Sequence, residues 1–103
     1  MLNVQKYEMR SDADRNAFGN AALSMCRAVK NMSGINSANY YWVNANQIGF
    51  IIDFETGAWG PGSANQDANV IKANFAVADL STLVSNEFWM TARGGTDNYE
   101  ISK

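Results

Sequence analysis

Between Asn39 and Glu55 the chain carries two alternating runs that are apolar on both sides. Ile48, Phe50, Ile52 and Phe54 alternate with Gln47, Gly49, Ile51, Asp53 and Glu55, and just upstream Tyr40 and Trp42 alternate with Tyr41 and Val43. Successive side chains of a strand point to opposite faces, so a hairpin of these two runs presents large apolar groups on both sides of a sheet. Such a sheet needs a cover on each side. The helical patterns in the chain provide one cover. The other side must meet a ligand, a partner, or both.

The flanking segments supply the remaining elements. Leu2 to Met9 reads as a first strand. Ser11 is placed as the N-cap of a helix running to Lys30, with Asp14 at the third position in a capping-box-like arrangement. Phe18, Ala21, Ala22, Met25, Val29 and Met32 then recur at three- and four-residue steps as one apolar stripe. The hairpin tip is Asn44-Ala45-Asn46-Gln47. Pairing Asn44 with Gln47 sets Val43 against Ile48, Trp42 against Gly49, Tyr41 against Phe50 and Tyr40 against Ile51. Thr56 to Gln66 is a loop rich in Gly, Ser and Asn, and Asn65 or Asp67 caps a second helix. Val70, Ala73, Val77, Leu80, Val84 and Phe88 continue a 3-4 stripe. A single helix to Ala92 would be ~39 Å long and would overhang strands of this length, so a break is expected between Asp79 and Thr82. A shorter helix recapped by Asp79 or Ser81 comes after it. Gly94-Gly95 ends that helix, and Asn98 to Ser102 forms a last strand with Tyr99 and Ile101 on one face.

The order β-α-β-β-α-β over 103 residues predicts one α+β domain, residues 1–103. Right-handed crossovers make it a ferredoxin-like βαββαβ fold: a four-stranded antiparallel sheet with both helices on one face. The helices are assigned to the most uniformly apolar side, with Leu2, Val4, Tyr41, Val43, Ile48, Phe50, Ile52 and Phe54. The open side then carries Asn3, Gln5, Tyr7, Tyr40, Trp42, Gly49, Ile51 and Asp53. Lys6 and Glu8 fit this division poorly, because it sends them to the helix side.

Several chemistries are excluded outright. The chain has no histidine, so no imidazole can serve as general base, zinc ligand or haem ligand. One cysteine, Cys26, cannot form an internal disulfide, and the carboxylates lack metal-ligand spacing. No cofactor or metal is expected. Gly57, Gly60 and Gly62 are followed by no Lys-Ser or Lys-Thr, so they are loop glycines rather than a phosphate cradle. The formal charge is −2 with no basic stripe, which argues against nucleic acid. Gly49-Phe50-Ile51-Ile52-Asp53 begins like the central strand of a single-stranded RNA module, but an aspartate stands where an aromatic belongs. There is no apolar run long enough to span a membrane and no leader-like apolar segment near Met1, so a cytoplasmic location is expected.

The strand Val4-Gln5-Lys6-Tyr7-Glu8-Met9, the hairpin Tyr40-Tyr41-Trp42-Val43 with Ile48 to Phe54, and the late Glu87-Phe88-Trp89 together resemble the dimeric α+β-barrel superfamily. The resemblance is one of pattern over nearly the whole chain. It implies a homodimer packed through the open sheet face, with a cavity between sheet and helix edge. The superfamily includes cofactor-independent monooxygenases acting on quinol-like aromatics, haem-degrading enzymes, isomerases and cyclases. The haem-degrading members use a histidine ligand that this chain lacks.

The candidate ligand-binding residues are Asn3, Gln5, Tyr7, Tyr40, Trp42, Asp53 and Trp59. Trp42 either stacks on a planar ligand or packs in the dimer interface. Tyr7 and Tyr40 donate hydrogen bonds to a carbonyl or phenolate, or are interface tyrosines. Asn3 and Gln5 orient a ligand or pair across a two-fold axis. Asp53 is a buried base or a solvated rim charge paired with Arg10 or Arg93. Trp59 is the tip of a flap or the anchor of its loop. No catalytic residue is assigned. The expected function is a small-molecule-binding protein, or a cofactor-independent enzyme, acting on a mostly apolar aromatic or carbonyl compound. The alternative is a non-catalytic structural or regulatory homodimer with its inner face filled. A cavity of a few hundred Å³ with converging polar groups distinguishes the first from the second.

Overall fold

The computed structural model describes residues 1–60 and 67–90. The elements run β1 (Leu2–Met9), α1 (Arg15–Lys30), β2 (Ile35–Asn44), β3 (Gln47–Phe54), α2 (Ala68–Leu80) and β4 (Ser81–Trp89). The strands form one antiparallel sheet in the order β2-β3-β1-β4. This is the ferredoxin-like arrangement, with β1 and β3 at the centre.

Both helices start on an aspartate. Asp14 caps α1 by accepting from the Ala17 amide at 3.2 Å, while Ser11 lies in the preceding turn, so the cap is three residues later than expected. Asp67 caps α2, accepting from the amides of Asn69 and Val70. The α1 stripe is the one read from the sequence: Phe18, Ala22, Met25 and Val29 are buried against the sheet, joined by Cys26. Burial pushes the Cys26 thiol up to about 11, so at neutral pH it is an inert apolar group.

The chain does break at Leu80, and Ser81 Oγ closes the helix end on the Val77 carbonyl at 2.6 Å. Beyond the break, residues 81–89 form a strand rather than a second short helix. Residues four apart share a strand face as well as a helix face, so Val84 and Phe88 extended the helical stripe only by coincidence. β4 takes the sheet edge beside β1, with one register shift between Lys6 and Tyr7. The expected Gly94-Gly95 cap and the strand at Asn98–Ser102 lie outside the described residues.

Register decides which residues face the helices. Asn44 pairs with Gln47 as expected, but a bulge at Val43 then sets Trp42 opposite Ile48, Tyr41 opposite Gly49 and Tyr40 opposite Phe50. One inserted residue moves everything beyond it to the other face. Tyr40 and Trp42 therefore lie on the helix side with Ile48, Phe50 and Ile52, and Tyr41 is 55% exposed on the open side. In β1, Asn3 pairs with Ile52, Gln5 with Phe50 and Tyr7 with Ile48. Asn3, Gln5 and Tyr7 are thus buried beneath the helices, while Leu2 and Val4 face the open side.

Ile48, Phe50, Ile52 and Phe54 of β3 face the helices as expected, but the faces assigned to β1 and β2 from apolarity are reversed, and for β1 there is a physical reason. The reverse setting would place Lys6 and Glu8 under the helices, and burying two charges costs far more than burying amides that bond one another. In the structure Lys6 and Glu8 lie on the open side, where Glu8 accepts from Gln47 Nε2 at 3.1 Å. No helix among the described residues is long and apolar enough to cross a membrane.

Candidate functional site

The helix side of the sheet is closed at one end and hollow at the other. At the closed end, Trp42 packs edge-on to Phe18 with ring centroids 5.8 Å apart, and the Arg15 guanidinium lies 3.9 Å from the Trp42 ring centre. Tyr40 is half-buried against the same core. At the other end, α2 stands over β1 and β4, leaving a cavity of about 530 Å³. Asn3, Gln5, Asn86 and Phe88 form its floor. Val70, Ile71, Asn74 and Phe75 of α2 form its roof, and Met32, Trp59, Gly60 and Asp67 close the sides. Ile71 and Phe75 are 48% and 65% exposed, which places them at the mouth.

Gly60 has φ +95°, and a Cβ there would meet Phe88 Cε1 at 2.7 Å. A glycine at this point lets the loop lie directly on the Phe88 ring. Phe88 also makes an edge contact with Phe54, with ring centroids 6.2 Å apart.

The floor is a continuous hydrogen-bonded ladder. Trp59 Nε1 donates to Asn3 Oδ1 at 2.9 Å, and Gln5 Nε2 donates to the same oxygen at 2.6 Å. Asn3 Nδ2 donates to Asn86 Oδ1 at 2.6 Å and to the Glu87 carbonyl at 2.9 Å. Tyr7 donates its hydroxyl to Gln5 Oε1 at 2.8 Å and accepts from Asn74 Nδ2 at 3.4 Å. Burial raises the Tyr7 phenol above its ordinary value of 10.0, with the Asn74 bond opposing, so Tyr7 is a neutral donor at physiological pH. Among the described residues every buried side-chain nitrogen and oxygen has a partner. Polar groups in an apolar setting are tolerated only on that condition.

Of the residues singled out in the sequence, Asn3, Gln5 and Trp59 line this cavity, and Tyr7 joins them through the ladder. Tyr40 and Trp42 lie at the closed end under α1. Asp53 is on the open side at the sheet end, 3.9 Å from the Met1 amino group and hydrogen-bonded by Asn36 Nδ2 at 3.2 Å. It occupies the rim, with the amino terminus rather than Arg10 as its cation; Arg10 pairs with Asp12 at 3.6 Å. Arg93 lies outside the described residues.

The sequence reading missed Asn74 and Asn86. The signal for Asn74 was present: it sits four residues after Val70 and three before Val77, a lone amide inside the apolar stripe. Asn86 becomes visible only once residues 81–89 are read as a strand, where it shares a face with Phe88.

This architecture has counterparts among solved structures. SnoaB, a cofactor-independent oxygenase from Streptomyces nogalater, superposes with a TM-score of 0.72 at 11% identity, covering 93% of this chain and 96% of that one. The chain shares its ferredoxin-like fold with that protein. A point mutant of SnoaB, with alanine in place of an asparagine, matches equally well, at TM-score 0.72, 14% identity and coverage of 94% and 96%. Rv0793 from Mycobacterium tuberculosis matches at TM-score 0.66 and 12% identity, covering 90% of this chain and 97% of that one. No protein-family model matches the sequence, and no curated protein matches it by sequence. The likeness is therefore one of fold, carried by backbone geometry.

Proposed function

We propose that the cavity beneath α2 binds a small, mostly apolar aromatic or carbonyl compound, in a homodimer built through the open sheet face. One observation carries this reading: a cavity of about 530 Å³ has apolar walls and a floor of converging amides. Volumes of this size with few, fixed polar groups are typical of small-molecule sites. Asn3, Gln5, Tyr7 and Trp59 belong to the site, together with Asn74 and Asn86. Tyr40, Trp42 and Asp53 do not.

The enzymatic form of this reading is a cofactor-independent reaction on the bound compound, as SnoaB, of the same fold, is a cofactor-independent oxygenase. The chain's own contribution is neutral hydrogen bonding. Among the described residues the one carboxylate lining the cavity is Asp67, and it is already engaged in capping α2.

The dimer is supported by the open face, where Leu2, Val4, Ile51, Tyr41 and Trp89 form an apolar surface on the single chain. Tyr41 and Trp89 are 55% and 50% exposed there. A continuous apolar patch on a sheet is a common mark of association.

Native mass spectrometry of freshly purified protein tests both parts. The expected result is twice the 11.3 kDa chain mass with a co-purified small compound. A dimer that never carries a ligand would favour the filled, non-catalytic homodimer instead. A monomer would remove the dimer from the proposal.

A further inference from the structure

We infer that Asn86 is the specificity-determining residue of this cavity: its side-chain amide presents N–H donors to a carbonyl oxygen of the ligand. This rests on the reading of the cavity as a ligand site and adds which polar group the site selects.

Donors and acceptors around the ladder fix every amide in turn. An amide side chain can face either way unless its neighbours forbid it. Asn3 has two neighbours that allow no choice. The Trp59 indole nitrogen can only donate, so it must meet Asn3 Oδ1. The Glu87 backbone carbonyl can only accept, so it must meet Asn3 Nδ2. Those two contacts set the direction of Asn3, and Asn3 sets its other partners. Gln5 has to offer its nitrogen to Asn3 Oδ1, which turns Gln5 Oε1 to the Tyr7 hydroxyl. Asn86 has to offer its oxygen to Asn3 Nδ2.

Asn3 is then saturated, with two bonds accepted and two donated, and has nothing left for a ligand. Asn86 is the opposite case. Its oxygen is held at 2.6 Å, and its amide nitrogen has no partner among the described residues. It lines the cavity beside the Phe88 ring. At the roof the polarity reverses: Asn74 uses its nitrogen on Tyr7 and on Met25 Sδ, so the group it has left is an oxygen. The floor at β4 is therefore a donor end, and the roof at Asn74 an acceptor end. A ligand that lies beside Phe88 with its carbonyl at Asn86 satisfies the donor end. A hydroxyl at its far side would suit the other.

The experiment uses three probes with one rigid tricyclic skeleton: fluorene, 9-fluorenone and 9-fluorenol, titrated calorimetrically into the intact protein. Wild type is expected to bind fluorenone about ten-fold more tightly than fluorene, the effect of one good neutral hydrogen bond. Asn86→Asp keeps the oxygen that Asn3 needs and replaces the donor nitrogen with a second acceptor. In that variant the ketone advantage should vanish and fluorenol, which can donate, should bind better than fluorenone. Asn86→Leu should abolish the ketone advantage without favouring the alcohol. Asn86 is exposed on an edge strand, so both variants are expected to fold. A ketone preference that survives in Asn86→Asp overturns the inference. Equal binding of fluorene and fluorenone by wild type overturns it too, while leaving the cavity reading standing. Failure of all three probes to bind wild type removes both.

Discussion

Replacing Asn3 with leucine is expected to lower the unfolding free energy by about 4 kcal/mol, from the ~1–3 kcal/mol attached to each buried polar group left without a partner. Leucine has the same branch at Cγ but is larger than asparagine, so overpacking at this fully buried position is part of the loss. Asn3 is 0% exposed and makes four hydrogen bonds, to Trp59, Gln5, Asn86 and Glu87. Removing it strands the buried Gln5 nitrogen outright, whereas the Glu87 carbonyl lies on an exposed edge-strand residue. Trp59 and Asn86 are closer to the cavity and can be rehydrated, which keeps the total below the sum of four losses. Asn86 is also freed to rotate, so the ketone preference should fall with the stability. Urea denaturation reads the first effect. A loss below about 1 kcal/mol would mean that Asn3 behaves as an open-face side chain bonded to water.

Trp42→Ala should cost about 3 kcal/mol, at the lower end for truncating a large aromatic because the ring is only partly buried. The indole seals the closed end of the helix side, against Phe18 and beneath the Arg15 guanidinium. Its loss opens a void between α1 and β2, far from the floor of the cavity. The folded variant should therefore bind fluorenone as wild type does. This pair of outcomes separates the two tryptophans that the sequence placed together: Trp42 holds the helix to the sheet, and Trp59 holds the ladder. Reduced fluorenone affinity in folded Trp42→Ala protein would show that the cavity extends to the α1 end.

Element types and order were legible wherever one periodicity dominated. The α1 stripe from Phe18 to Val29 and the β3 alternation from Ile48 to Phe54 are examples, and the fold class came from them. Three features of the chain hid the rest. First, bulges have no signature in the hydrophobic pattern. Val43 is as apolar as its neighbours, yet the extra residue there turns Trp42 and Tyr40 to the other face. Second, apolarity was used to choose the buried face of β1, where it points the wrong way. Leu2 and Val4 are more apolar than Asn3, Gln5 and Tyr7, but their face also carries Lys6 and Glu8. The cost of burying those charges decides the orientation, and mutual hydrogen bonding makes the amide face tolerable under the helices. The alternation of β1 grouped Asn3, Gln5 and Tyr7 on one face, and the structure keeps them together on the opposite side of the sheet from the one expected. Asn86 was hidden for a third reason, since Val84 and Phe88 fit a helix as well as a strand.

The proposed ligand enters between β1, β4 and α2, over the Asn3 ladder, rather than against the open sheet face. Proton–nitrogen correlation spectra of the ¹⁵N-labelled protein distinguish the two locations, because indole and side-chain amide groups give their own signals. On titration with fluorenone, the Trp59 indole and the Asn86 and Gln5 amide signals should shift together, while the Trp42 and Trp89 indoles stay in place. Shifts at Trp89 and at the Ile51 backbone amide, with Trp59 and Asn86 unmoved, would put the ligand on the open face and refute the cavity as its site.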